Sequence, residues 1–205
     1  MKDSREEILG RVREALAPLS QRAAYPEYDE SAAVEKRLFV DGDDLWMLFS
    51  ARLAGVNGIA LENPAALVAW LRERNHLHGY CDPDLWTKLS VHFDQTFTVE
   101  TTYERSRVDD YSFGITRASG AIAETGTVIL QDASTSRRLG ALTPWVHITF
   151  FPRANLYATI PEAIAQLGSD PNTIWVTGPS KTADVEGILI EGVHGPGAQV
   201  ALLLP

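Results

Sequence analysis

Two stretches of this chain concentrate residues able to do acid–base or anion chemistry. In ASGAIAETGTVIL, Glu124 stands between a short apolar run and the small residues Thr125, Gly126 and Thr127. A carboxylate at the mouth of a sheet, with neighbours small enough for a ligand to approach the backbone, could act as general base or nucleophile. The same residues also suit a polar hairpin turn in which Gly126 supplies a positive φ. In TGPSKTADVEGILIEGVHGPG, residues 177 to 197, a β-prone IWV run leads into Gly178, Ser180, Lys181 and Thr182. A short helix starting at or near Thr182 or Asp184 and closing at Gly192 would offer free N–H groups there. With the Ser180 and Thr182 hydroxyls and the Lys181 ammonium, they would suit a carboxylate or phosphate. Asp184 and Glu186 compete for that helix start, so capping with a solvated Lys181 is the other reading. His194, on a turn stiffened by Gly192, Gly195, Pro196 and Gly197, could transfer protons near neutral pH or be a surface histidine.

Other candidates carry less. His147 in TPWVHITF reads as a strand residue hydrogen-bonded in the core. Arg137 and Arg138 are either solvated or guide an anion towards a cleft. His76 and His78 flank a helix end, and no metal site is expected from them. GPSKT lacks the first glycine of a P-loop, and no GxGxxG, HExxH or GxSxG occurs, so the corresponding nucleotide, zinc-protease and hydrolase signatures are missing.

The elements that must position these residues follow from the periodicity. An amphipathic helix with Ile8, Val12, Ala15 and Leu16 on one face ends at Pro18, and QRAAYPEYDESAA reads as a linker. Residues 1–30 are therefore expected to form a helical arm and linker, and 31–205 one globular domain. DDLWMLFSARLAG and ALVAWLRERNH read as helices, with NGIALE and GYCD as strands around them and PDLWTKLSV as a helical turn or two. Beyond them, YSFGITRASGAIAETGTVILQDA, HITFFP, NTIWVTG and VALLL supply short strands around one helix, TIPEAIAQLG. IWV and ALLL lack strict alternation, as expected of a sheet covered on both faces. The fold class is α/β, a three-layer domain with an N-terminal helical arm.

A chain of 205 residues with 45% hydrophobic and 22% charged residues can bury a substantial core. The formal charge of −9 repels phosphate backbones and anionic bilayers, which argues against nucleic acid and membrane surfaces as partners. No run approaches a membrane span, and MKDSREEILGRVREAL lacks a signal-peptide apolar core, so a cytoplasmic protein is expected. The single cysteine, Cys81, cannot hold an iron–sulfur cluster or a four-thiolate zinc site.

Taken in order and at their spacing, SGAIAETGTVIL, TPWVHI and GPSKTADVEGILIEGVHGP resemble the LUD-domain proteins, specifically the lactate utilisation protein C group. The resemblance covers roughly residues 97 to 205. It implies a Rossmann-like fold similar to the superfamily of sugar-phosphate isomerases, glucosamine-phosphate deaminases and CoA-transferases. It also implies a component of an L-lactate utilisation system, supporting oxidation of L-lactate to pyruvate beside iron–sulfur partner proteins. The signature positions carried over are Glu124, Thr125, Gly126 and Thr127, then Gly178, Ser180, Thr182, Asp184, Glu186, His194, Gly195 and Pro196. Clusters are expected on the partners, none on this chain, because the cysteines of cluster-bearing relatives are missing. The working expectation is that the 178–184 turn holds lactate or another small anion and that Glu124 or His194 handles a proton. The rival readings are a non-catalytic accessory subunit with a regulatory ligand site, and an enzyme acting on a sugar phosphate or CoA ester by fold analogy alone.

Overall fold

Asp44, Asn63, Asp82 and Thr159 each stand at the start of a helix. Their side-chain oxygens accept backbone N–H groups of the first turn: Asp44 from Trp46, Asn63 from Ala66, Asp82 from Asp84 and Leu85, and Thr159 from Glu162. Pro64, Pro83 and Pro161 follow three of these caps, where the missing N–H costs nothing. The computed structural model describes residues 4–18, 44–132, 136, 138–168, 170, 172–183 and 187–204. Two compact units divide the chain, Met1–Leu38 and Phe39–Pro205. In the first, helix α1 (Ser4–Leu16) carries Ile8, Val12 and Leu16 exposed along one side. The linker expected in QRAAYPEYDESAA lies outside the described residues.

The second unit contains α2 (Leu45–Gly55), β1 (Ile59–Ala60), α3 (Pro64–Glu73), β2 (His78–Cys81), α4 (Pro83–Leu89), β3 (Thr98–Glu100) and β4 (Phe113–Arg117). These are followed by β5 (Gly120–Ile122), β6 (Thr127–Gln131), α5 (Arg138–Leu142), β7 (Val146–Phe151), β8 (Leu156–Tyr157), α6 (Ile160–Gln166) and β9 (Thr173–Val176). The last three are β10 (Lys181–Ala183), β11 (Leu189–Glu191) and β12 (Ala198–Leu203). Six strands form a wholly parallel sheet in the order β1-β12-β7-β4-β2-β3. From the adjacent strands β2 and β4 the chain leaves in opposite directions, to β3 on one side and to β7 on the other.

One face of this sheet, with Phe113, Ile115, Val146, Ile148, Phe150, Val200 and Leu202, packs against Leu67, Val68 and Leu71 of α3 and Leu85 and Leu89 of α4. The other face is covered by α2 and by a second sheet, β8-β5-β6-β9, through Phe49, Leu53, Ala121, Val128, Leu130, Phe151 and Ala201. The result is a Rossmann-like three-layer α/β domain, with β7 buried at every position. Strands buried on both sides need no apolar–polar alternation.

Two local expectations are overturned. The IWV run, expected in a sheet covered on both faces, is only partly buried, and β9 pairs antiparallel with β6 in the second sheet. The residues expected to form a helix closing at Gly192 instead form an antiparallel hairpin, with Lys181 opposite Glu191, Thr182 opposite Ile190 and Ala183 opposite Leu189. β-Branched Ile188 and Ile190 favour the extended backbone, and Gly187 takes a φ of 76°. No helix start therefore stands in the 178–183 turn. Asp184 and Glu186 lie outside the described residues, as does Arg137.

Candidate functional site

Gly178, Ser180, His194, Gly195 and Pro196 meet around one cavity of about 250 Å³, although the helix meant to join them is absent. The β9-to-β10 loop brings Gly178 and Ser180, and the β11-to-β12 loop brings His194 to Pro196. The two loops are tied to each other, because Ser180 N–H donates to Pro196 O at 2.9 Å and Gly192 N–H donates to Ser180 O at 2.9 Å. Gly195 sits close against the other loop, since a Cβ there would lie 3.2 Å from Ser180 Cβ, a tight contact. Gly178, with φ 77°, faces the end of α2, where a Cβ would stand 2.6 Å from Val56 O. The Ser180 hydroxyl and the backbone N–H groups of His194 and Gly195 make no hydrogen bond to another described residue. Such uncommitted donors on neighbouring loops are the ingredients of an anion cradle.

The cavity floor is polar. His147 and Gln199, second residues of β7 and β12, are each 1% exposed and lie at the amino ends of the parallel strands. Gln199 Oε1 is 2.7 Å from His147 Nδ1, so Nδ1 carries the proton and Nε2 accepts from Thr116 Oγ1 at 2.8 Å. Burial pulls the His147 pKa down to about 4, which keeps the ring neutral. From the second sheet, Thr177 at the cavity wall shares a hydrogen bond with Thr127 at 2.8 Å, and Thr127 with Thr125 at 2.7 Å. His194 also lines a neighbouring cavity of about 360 Å³, with Asp109, Trp145 and Val193. The indole of Trp145 supports the His194 loop, because added Cβ atoms on Gly192 and Gly197 would both run into its ring.

The remaining candidates sit elsewhere. Glu124 does not line this cavity; its Oε1 accepts the Ile160 N–H at 2.6 Å at the start of α6. Gly126, with φ 67°, is pressed against α2, where a Cβ would meet Leu53 N and stand 2.7 Å from the carbonyl carbon of Arg52. Lys181 donates to Val56 O at 2.7 Å, offsetting the negative end of α2, and lies 3.7 Å from Glu191. Thr182 is a hairpin residue. Arg138 pairs with Asp132. His147 is the hydrogen-bonded core histidine that the sequence leads one to expect, and it also lies beneath the cavity, which the sequence reading does not reach. The available signal was the polar residues set into three largely apolar strands, among them Thr116 in FGITR, His147 in VHITFF and Gln199 in AQVALL.

Residues 81–204 match the LUD domain. The chain is 33% identical over 138 residues to a Lactate utilization protein C of Shouchella clausii, covering 64% of this chain and 58% of that one. It is 28% identical to another of that name from an Exiguobacterium species, covering 75% and 64%. A Bacillus licheniformis protein of the same name is 35% identical over 98 residues, 44% of this chain and 41% of the relative. The aligned regions thus span less than two thirds of each of these relatives. The crystal structure of a DUF162 family protein from Deinococcus radiodurans superposes with a TM-score of 0.56 at 19% identity, covering 78% of this chain and 96% of that one, and so shares the fold. With the LUD domain matched from the end of β2 to the end of β12, this chain belongs to the LUD-domain family.

Proposed function

We propose that this chain takes part in L-lactate utilisation, binding L-lactate or its oxidation product in the cavity between the 178–180 and 194–196 loops. The observation that carries the reading is the convergence of Ser180, His194 and Gly195 on one cavity, within the region matched to relatives named Lactate utilization protein C. The Ser180 hydroxyl and the free N–H groups of His194 and Gly195 hold the carboxylate, and the His194 imidazole exchanges the proton of the 2-hydroxyl. His147 lies beneath as a neutral support, with both ring nitrogens committed.

Oxidising a 2-hydroxy acid to a 2-oxo acid releases two electrons and two protons. Side chains can take the protons, but the electrons need a redox group. Cys81 is buried and its thiol pKa is raised by burial, so it is no candidate. The electrons pass to iron–sulfur partner proteins. Exposed Trp145, Trp175 and Val193, which line this cavity or its neighbour, offer an apolar surface for such a partner.

The test is anaerobic L-lactate-dependent dye reduction with the chain alone, candidate iron–sulfur partners alone, and all together, with assembly followed by size. The expected result is turnover only in the full mixture, lost on His194→Ala while assembly persists. Turnover by the partners without this chain, or unchanged turnover with His194→Ala, overturns the proposal. Loss of assembly rather than turnover on that substitution would make the chain an accessory subunit.

A further inference from the structure

The cavity above lies at the amino ends of the parallel strands, whereas open α/β sheets gather ligands at the carboxyl ends, next to the point where successive crossovers part. Here that point lies between β2 and β4. A crevice of about 410 Å³ opens beside it, lined by Arg117 at the end of β4, Phe150 and Pro152 at the end of β7, and Leu204 after β12. Tyr157 and Gln166 also line it.

Arg117 is set in place before any ligand arrives. Its Nε donates to Asp82 Oδ2 at 3.3 Å, and Asp82 is itself fixed: 3% exposed, it accepts Ser136 Oγ–H at 2.5 Å and the first N–H groups of α4. The Arg117 backbone N–H donates to Ser136 Oγ at 2.8 Å, locking the strand end to the same group. The outer edge of the guanidinium is differently held. Its Nη1 is 3.1 Å from Asp84 Oδ2, a side chain 74% exposed. An ion pair with so exposed a partner is weak and exchangeable. The Tyr157 hydroxyl and the Gln166 carboxamide make no hydrogen bond to another described residue. A buried carboxylate thus orients the fork and an exposed one occupies its outer edge, while Tyr157 and Gln166 line the same crevice with Arg117.

We propose that this carboxyl-edge crevice is a second ligand site, taking a small organic oxyanion, a carboxylate or a phosphate ester. The oxyanion displaces Asp84 from the outer edge of Arg117, and Tyr157 and Gln166 donate to it. A guanidinium held on one side by carboxylate presents its remaining N–H groups in a planar fork suited to such a group. The inference is independent of the lactate reading, because no residue of the amino-edge cavity enters it.

The experiment is titration calorimetry of the full chain with pyruvate, L-lactate and inorganic phosphate in separate runs, with the Ser119 and Gly120 amides followed by NMR to locate binding. At least one anion should bind and shift those amides. Asp84→Asn, which removes the competing carboxylate, should tighten binding about two- to fivefold. Tyr157→Phe should weaken it by a similar factor, and Arg117→Lys by more than about tenfold. The affinities compared are those read from the Ser119 and Gly120 amides, so binding in the amino-edge cavity does not enter them. Pyruvate or lactate binding without phosphate binding assigns a carboxylate site, and the reverse assigns a phosphate site. Absence of binding by all three, shifts confined to the His194 and Gly195 amides, or unchanged affinity in Asp84→Asn overturns the proposal, even if Arg117→Lys fails to fold.

Discussion

Glu124 Oε1 accepts the backbone N–H of Ile160 at 2.6 Å, so the acid of the ETGT motif joins the β5-to-β6 turn to the start of α6. The carboxylate also lies at the positive end of that helix. Glu124→Ala should cost about 1–2 kcal/mol in urea unfolding, the usual loss for a helix-start acceptor. Glu124→Gln, which keeps an acceptor oxygen, should recover most of that and leave lactate-dependent turnover intact. Turnover lost in Glu124→Gln at normal stability would instead give Glu124 a catalytic role.

The left-handed glycines separate two effects of substitution. Gly126 (φ 67°) has the backbone of α2 against it, whereas Gly187 (φ 76°) has open space. Gly187→Ala should therefore cost only about 1 kcal/mol for the backbone conformation. Gly126→Ala adds a clash that backbone atoms cannot relieve, and should cost about 2–4 kcal/mol. Equal losses in the two, measured by denaturant midpoints, would show that α2 can move away from the turn.

These positions also show what could be read from sequence. Helix starts were legible because Asp44, Asn63, Asp82 and Thr159 act through their own neighbours, within three residues. The strands β4, β6, β7 and β12 were legible as apolar or β-branched runs. The fate of 181–191 was not, because a short segment with acids, a glycine and isoleucines satisfies helix and hairpin patterns alike. Cross-strand pairing and the docking of Lys181 on Val56, 125 residues away in sequence, decide between them. Gathering Ser180 and His194 at one cavity was legible as a motif, but separating Glu124 from them was not. That separation depends on α6 arriving beside the turn, a tertiary fact. Asp82 and Arg117 carried no motif, and their relation appears only when β2 and β4 become neighbours.

His147 makes stability depend on pH. Its folded pKa is about 4, below the ordinary 6.5, so between these values the unfolded chain binds more protons than the folded one. Stability from this group is therefore fully present above about pH 6.5 and declines as pH falls towards 4, with a slope of at most roughly 1.4 kcal/mol per pH unit. His147→Gln should flatten that part of the profile in urea titrations between pH 4 and 7, at some cost in stability at neutral pH. An unchanged profile would show that His147 is not the group responsible.

Trp145 and Gly197 give the most direct handle on the His194 loop. The indole is half exposed, yet one side of it seats Gly192 and Gly197. Gly192 also has a φ of 83°, so its substitution mixes backbone strain with contact, while Gly197 isolates the contact. In Gly197→Ala the ring can swing towards solvent, so the stability loss should stay near about 1 kcal/mol. The loop, however, loses its seat, and His194 shifts relative to Ser180. L-Lactate affinity by calorimetry should then fall about tenfold, the scale on which small misplacements of a site act. The tryptophan emission difference between wild type and Trp145→Phe should change in the same variant, because the indole has moved. If emission changes while lactate affinity does not, the indole is free to move without carrying His194, and the ligand rests on the Ser180 loop instead.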